Sequence, residues 1–231
     1  MSNGTEGDTP DERTPRSLPL GLVALWPVVE LASVLAGLTV VEAAGGSVHR
    51  FGNALGAQEL GLLVGMPVLA LLFLRRADRD GQEVPFPLNR RVVLIGAAAG
   101  LVLLIADVSG NQLDRLLFGS TSALHGQIPV WSAVLLLLTN GFVGPVSEEF
   151  AWRGVLQPRM TLRFGTAPGL ALTALLFSLK HCVVDFSLGR LFAIMAFGLV
   201  AGAVRLRWGT STSAAAHVTA NLIGSLILLA A

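Results

Sequence analysis

The chain has 231 residues, 53% of them hydrophobic and only 13% charged, with a mean hydropathy of +0.68. A soluble domain of this size carries about a quarter charged residues, so most of this chain's surface does not face water. A net charge of +1, with Arg scattered through the loops, gives no basic stripe and so no nucleic-acid partner, and the lone Cys182 excludes an intrachain disulfide.

In chain order, Met1–Ser17 holds four acidic residues and two Arg and reads as a disordered cytoplasmic tail. The apolar run behind it is too long for a signal-peptide core and reads as a retained first helix. Seven apolar stretches follow one another: Leu18–Val41, Leu60–Leu74, Val92–Ala106, Val130–Val146, Ala167–Val184, Leu191–Val204 and Ser213–Ala231. A helix needs roughly 20 residues to cross the hydrocarbon core, so the shorter runs must borrow flanking polar residues. An eighth crossing arises if Leu113–Leu124 inserts, but Asp114 and Arg115 favour an interfacial helix there. The expected fold is all-α, a polytopic transmembrane bundle of about seven helices. It divides into the tail (1–17), N-terminal transmembrane helices (18–124) and a catalytic transmembrane core (125–231).

Arginine placement sets the topology. With the tail inside, twelve Arg fall on the cytoplasmic side, and only Arg50, Arg115 and Arg190 fall outside. The C-terminus is then external. Fifteen of the sixteen basic residues are Arg, a bias that points to a GC-rich coding genome and a bacterial plasma membrane. Gly61–Gly65, Gly96–Gly100 and Gly198–Gly202 have the GxxxG spacing that lets helices approach closely in lipid, although a glycine-rich chain also produces it by chance.

Ionisable residues at membrane depth cost about 2.5–3.5 kcal/mol by insertion scales and usually face a cavity or a partner. Three clusters occur in the second half: Gly144-Pro-Val-Ser-Glu-Glu-Phe-Ala-Trp-Arg153-Gly, Phe177-Ser-Leu-Lys-His181 and His217-Val-Thr-Ala-Asn221. Glu149 and Arg153 are i,i+4 in the favourable order for an ion pair. Glu148 is rotated about 100° away, a desolvated carboxylate suited to a general base. His217 and Asn221 share a face and offer two N–H groups to an oxyanion, and His181 can hold a water opposite Glu148. No serine or cysteine nucleophile is evident, so the set describes hydrolysis by activated water. The plain alternatives are a helix end snorkelling to the interface for the Glu pair, and interhelical hydrogen bonding for the histidines and Asn221.

These strings resemble the EExxxR, FxxxH and HxxxN motifs of the CAAX protease and bacteriocin-processing family, in order and on successive helices, over about Val130–Ile227. The resemblance implies a glutamate-dependent intramembrane endopeptidase, once described as a metalloprotease, acting on a membrane-associated peptide or protein within the lipid bilayer. It makes Glu148 the catalytic base, His181 its partner on the water, and His217 with Asn221 the oxyanion site, with Glu149 and Arg153 supporting. Glu148, His181 and His217 could instead ligate zinc, but Asn221 would then lack a role, so no metal or other cofactor is expected. Lys180 departs from the pattern and is expected to reach the interface or pair with an acid such as Glu30, which otherwise reads as structural. The cavity is expected to face the cytoplasm. The rival is a non-enzymatic membrane protein, either a transporter or an immunity partner that binds without cutting.

Overall fold

A computed structural model describes residues 17–119 and 126–230. Of the tail expected over 1–17, residues 1–16 lie outside these residues, as do 120–125. Among the described residues seven helices are long and apolar enough to cross a membrane. They are α1 (Leu20–Ala43), α2 (Phe51–Arg79), α3 (Arg90–Phe118), α4 (Val130–Phe164), α5 (Thr166–Val184), α6 (Leu191–Trp208) and α7 (Thr210–Ala230). The short apolar runs do borrow polar flanks: α2 takes in both Gln58 and the Arg75–Arg79 end, and α3 starts at Arg90. Asn89 caps α3 by accepting the Val92 N–H at 3.0 Å. Single glycines turn the chain between α4 and α5 (Gly165, φ +86°) and between α6 and α7 (Gly209, φ +89°), a conformation that side chains resist.

The interfacial helix expected at Leu113–Leu124 is corrected as far as Phe118, because α3 runs straight through to that residue. Asp114 faces inward rather than to the interface. Its carboxylate accepts the backbone N–H groups of Phe192 (2.9 Å) and Ala193 (2.8 Å), which open α6. A helix N-terminus has unpaired N–H groups and a positive dipole end, so the buried acid is satisfied there.

Helix α4 is the spine and contacts α2, α5 and α7. It runs for 35 residues, about 50 Å, well over the thickness of a hydrocarbon core. The Glu148-Glu149 pair therefore lies near its middle rather than at an end, and both side chains are buried. Two stretches of α4 are π-helical, Thr139–Val143 and Glu149–Leu156. The first ends just before Pro145, whose missing N–H and bulky ring an ordinary α-turn tolerates poorly. All three GxxxG pairs sit at helix contacts. Gly61 and Gly65 lie against Ser33 of α1, Gly96 and Gly100 against Ala215 and Thr219 of α7, and Gly198 and Gly202 against Ala174 and Leu170 of α5. Large apolar side chains such as Leu35, Val64, Ile105 and Val134 point outward, as a lipid-facing belt requires.

The two ends of the bundle differ. At the arginine-rich end, Arg159 bonds Asp80 (2.8 Å), Gln82 (2.7 Å) and the Ser17 carbonyl (2.8 Å), tying α4 to the ends of α1 and α2. Just inside it, Trp26, Phe73, Trp152 and Phe177 stack edge to face with ring centroids 5.3–5.7 Å apart, all essentially without solvent exposure. The opposite end holds the α3–α6 junction and the Asp107–Arg190 ion pair at 3.4 Å.

Candidate active site

The three motifs converge. Glu148 on α4 lies 3.7 Å from His181 Nε2 on α5 and 3.8 Å from His217 Nε2 on α7, along the wall of a cavity of about 360 Å³. Sequence distance makes this meeting unexpected, since His181 is near the end of α5 and His217 near the start of α7. The helix lengths resolve it. Glu148 and His181 both stand roughly 22–24 Å from the turn at Gly165, while His217 is roughly 10 Å from the start of α7, at 1.5 Å per residue. The α4–α5 hairpin must therefore project beyond the point where α7 begins.

The two carboxylates face different partners. Glu149 is fully buried, pairs with Arg153 at 3.4 Å, and accepts the Ser213 hydroxyl at 2.6 Å. It also meets His217 Nδ1 at 3.0 Å, which fixes the imidazole ring. The Arg153 guanidinium sits 4.2 Å over the Phe177 ring, where the aromatic face stabilises a cation. The i,i+4 pairing read from the sequence is thus present, even though this stretch of α4 is π-helical. With Nδ1–H given to Glu149, His217 presents Nε2 to Glu148 and the cavity. That nitrogen donates only when the ring carries both protons.

Lys180 supplies what the motifs did not foresee. Its ammonium lies between Glu148 Oε1 (2.5 Å) and Glu30 Oε2 (3.0 Å), with all three side chains buried. Trp26 Nε1 donates to the same Glu30 oxygen at 2.9 Å. So Lys180 pairs with Glu30, one of its two expected placements, and does not reach the interface. Asn221 shares its face with His217, as i,i+4 spacing requires, but its amide nitrogen donates to the Asn140 carbonyl at 3.0 Å, with a longer 3.4 Å contact to Asn140 Oδ1. Asn140 in turn donates to Ser225 at 3.0 Å.

Sequence reasoning missed Glu59. It is buried in α2, lines the same cavity, and leaves Oε2 without a hydrogen-bond partner. No motif surrounds it. Its only sequence signal is an acid eight residues into an apolar helix. Among the described residues no three His, Cys, Asp or Glu side chains are grouped as a metal site.

The cavity does not open where expected. Its exposed lining residues are Gln58, Asp185 and Arg190, all at the end opposite the arginine-rich one, whereas the stacked aromatics close the arginine-rich side. The expectation of a cavity on the same side as the arginines is therefore corrected. The physical reason is that the apolar rings fill that half of the bundle.

The fold and site define a polytopic integral membrane protein with a buried carboxylate pair near the middle of its longest helix and two histidines beside it. Residues 129–223 match the family model described as type II CAAX prenyl endopeptidase Rce1-like, the same family that the three motifs resemble. The activity at the level of that family is intramembrane proteolysis, with a membrane-associated substrate and a lipid bilayer as its setting. No curated protein and no solved structure matches the chain.

Proposed function

We propose that this protein is an intramembrane endopeptidase in which Glu148 activates a water to hydrolyse a peptide bond of a membrane-associated peptide or protein. The observation that carries it is the position of Glu148 between two imidazole Nε2 atoms, at 3.7 and 3.8 Å, on a cavity wall. Both gaps exceed a direct hydrogen bond, and a single water among the three groups can bridge them. Glu148 takes a proton from that water as its oxygen attacks the scissile carbonyl. The carbonyl oxygen becomes an oxyanion, and Glu148 then delivers the proton to the leaving amide nitrogen as the C–N bond breaks.

His217, held by Glu149, and Asn221 are the oxyanion donors in this reading. Donation from His217 Nε2 requires the ring to carry both protons in that step, since Nδ1 is turned to Glu149. Asn221 gives its longer, 3.4 Å contact to the oxyanion while the 3.0 Å bond to Asn140 holds it in place. Each such donor contributes about 3–4 kcal/mol where its removal has been measured in other hydrolases. Lys180 is a positioning residue: it fixes Glu148 through Oε1 and leaves Oε2 facing His217.

The donor set does not suit zinc. A dication held by Glu148 would meet the fixed ammonium of Lys180. The test is Glu148→Gln in purified, reconstituted protein assayed on a pool of internally quenched peptides. Turnover should vanish while the protein stays inserted and melts as the wild type does. Normal cleavage by Glu148→Gln would refute the assignment.

A further inference from the structure

Resting on the peptidase reading above, we infer that the cavity draws its substrate from the non-cytoplasmic face of the membrane, as an extended polypeptide segment. Three independent observations meet here. The first is the closure of one end: Trp26, Phe73, Trp152 and Phe177 are at most 1% exposed and stack across the bundle on the arginine-rich side of Glu148.

The second is the lining of the other end. Between Glu148 and the mouth lie Glu59, Asn140, Asn221 and Ser225, all on the cavity wall. One oxygen of the Glu59 carboxylate is buried beside that space with no hydrogen-bond partner. Amide and carboxyl groups at successive turns of α2, α4 and α7 are suited to the N–H and C=O groups of a peptide in extended form, which cannot enter an apolar medium unbonded. A chain entering from this end reaches Glu148 after passing them.

The third observation is charge. Among the described residues ten Arg lie toward the closed end of the bundle, against Arg50, Arg115 and Arg190 at the open end. Basic residues are retained on the cytoplasmic side, so the closed end is cytoplasmic. The mouth then faces away from the cytoplasm, and its substrate class is the exposed or membrane-embedded part of an exported or membrane-anchored polypeptide. A cytosolic chain end would meet the aromatic barrier.

Direction and catalysis can be tested separately. In a Cys182→Ala background, Gly224→Cys places a thiol in the cavity, where an added Cβ meets nothing within 4 Å, and Asp78→Cys places one on the exposed arginine-rich end. A charged, membrane-impermeant methanethiosulfonate should modify Gly224→Cys in intact cells, and Asp78→Cys only in inverted vesicles. Modification of Gly224→Cys from the inverted side alone, from both sides or from neither would overturn the inference. Quenched peptides that cannot cross the bilayer should then be cut by sealed right-side-out vesicles and not by inverted ones. Cleavage by the inverted preparation alone would also overturn it. Absence of cleavage in both, with the labelling pattern intact, would refute the peptidase reading and the substrate class with it, while the direction of the cavity would stand.

Discussion

Replacing Lys180 with methionine keeps most of the side-chain volume and removes one charge. That charge is the counterion of two acids, Glu148 at 2.5 Å and Glu30 at 3.0 Å, with the lysine side chain 2% exposed and each acid 7%. Breaking a buried pair by deleting one partner costs about 3–5 kcal/mol, because the remaining charge is left without compensation. Here two carboxylates are left, so the upper end of that range is expected. Turnover should also fall by about a hundredfold or more, since general-base catalysis depends on a correctly held carboxylate. The assay is unfolding of the purified protein by added SDS in mixed micelles, followed by fluorescence, because Trp26 bonds the same Glu30 oxygen. A Lys180→Met, Glu30→Gln double variant removes one of the stranded charges and should be more stable than Lys180→Met alone. Coupling of about 0.5–3 kcal/mol is expected for residues in one network. If Lys180→Met unfolds within about 1 kcal/mol of wild type, or the double variant is merely additive, the cluster does not carry the charge balance assigned to it.

Glu149→Ala and Arg153→Ala should each destabilise by about 3–5 kcal/mol in the same assay, in contrast to Glu148→Gln, which should lose turnover with its stability retained. Asp114→Ala should cost about 0.5–2 kcal/mol, the worth of a helix N-cap, with little effect on the rate of hydrolysis by the folded fraction. Gly61→Val should disrupt the α1–α2 contact, since its side chain would meet the Ser33 backbone rather than a movable side chain; lower yield and a lower melting temperature are the readouts. Metal analysis of active protein should find no stoichiometric zinc, and a strong chelator should leave cleavage unchanged. Activity lost on chelation and restored by zinc would make Glu148, His181 and His217 ligands instead.

The positions of the helices were legible because the bilayer demands long apolar runs and the sequence supplies seven. The Glu149–Arg153 pair was legible because i,i+4 neighbours are close on a helix face, and the two still meet although this stretch of α4 is π-helical. The Lys180–Glu30 pair was expected only as one of two options, and the Lys180–Glu148 contact was not foreseen, since helical periodicity says nothing about which faces of two helices meet. Asp114 was misread for a similar reason: an acid in an apolar stretch looks interfacial until a neighbouring helix presents its first N–H groups. The π-helical turns of α4 leave no mark beyond Pro145, because the extra residue in each changes hydrogen-bond register and not composition. The direction of the cavity follows from how four aromatic rings stack across four helices, and no local pattern encodes that.

The ring stack at the closed end has an electrical consequence. A wet cavity with ionisable walls carries the potential of one aqueous compartment down to Glu148, so most of the transmembrane voltage falls across the short dry layer formed by Trp26, Phe73, Trp152 and Phe177. Each elementary charge carried across the membrane exchanges about 2.3 kcal/mol with the field per 100 mV. In the proposed mechanism a proton passing between water, Glu148 and an amide nitrogen stays on one side of that layer and does almost no work against the voltage. The chemistry is thereby insulated from the energised state of the membrane, and a channel that stops halfway through the bilayer does not become a path for protons.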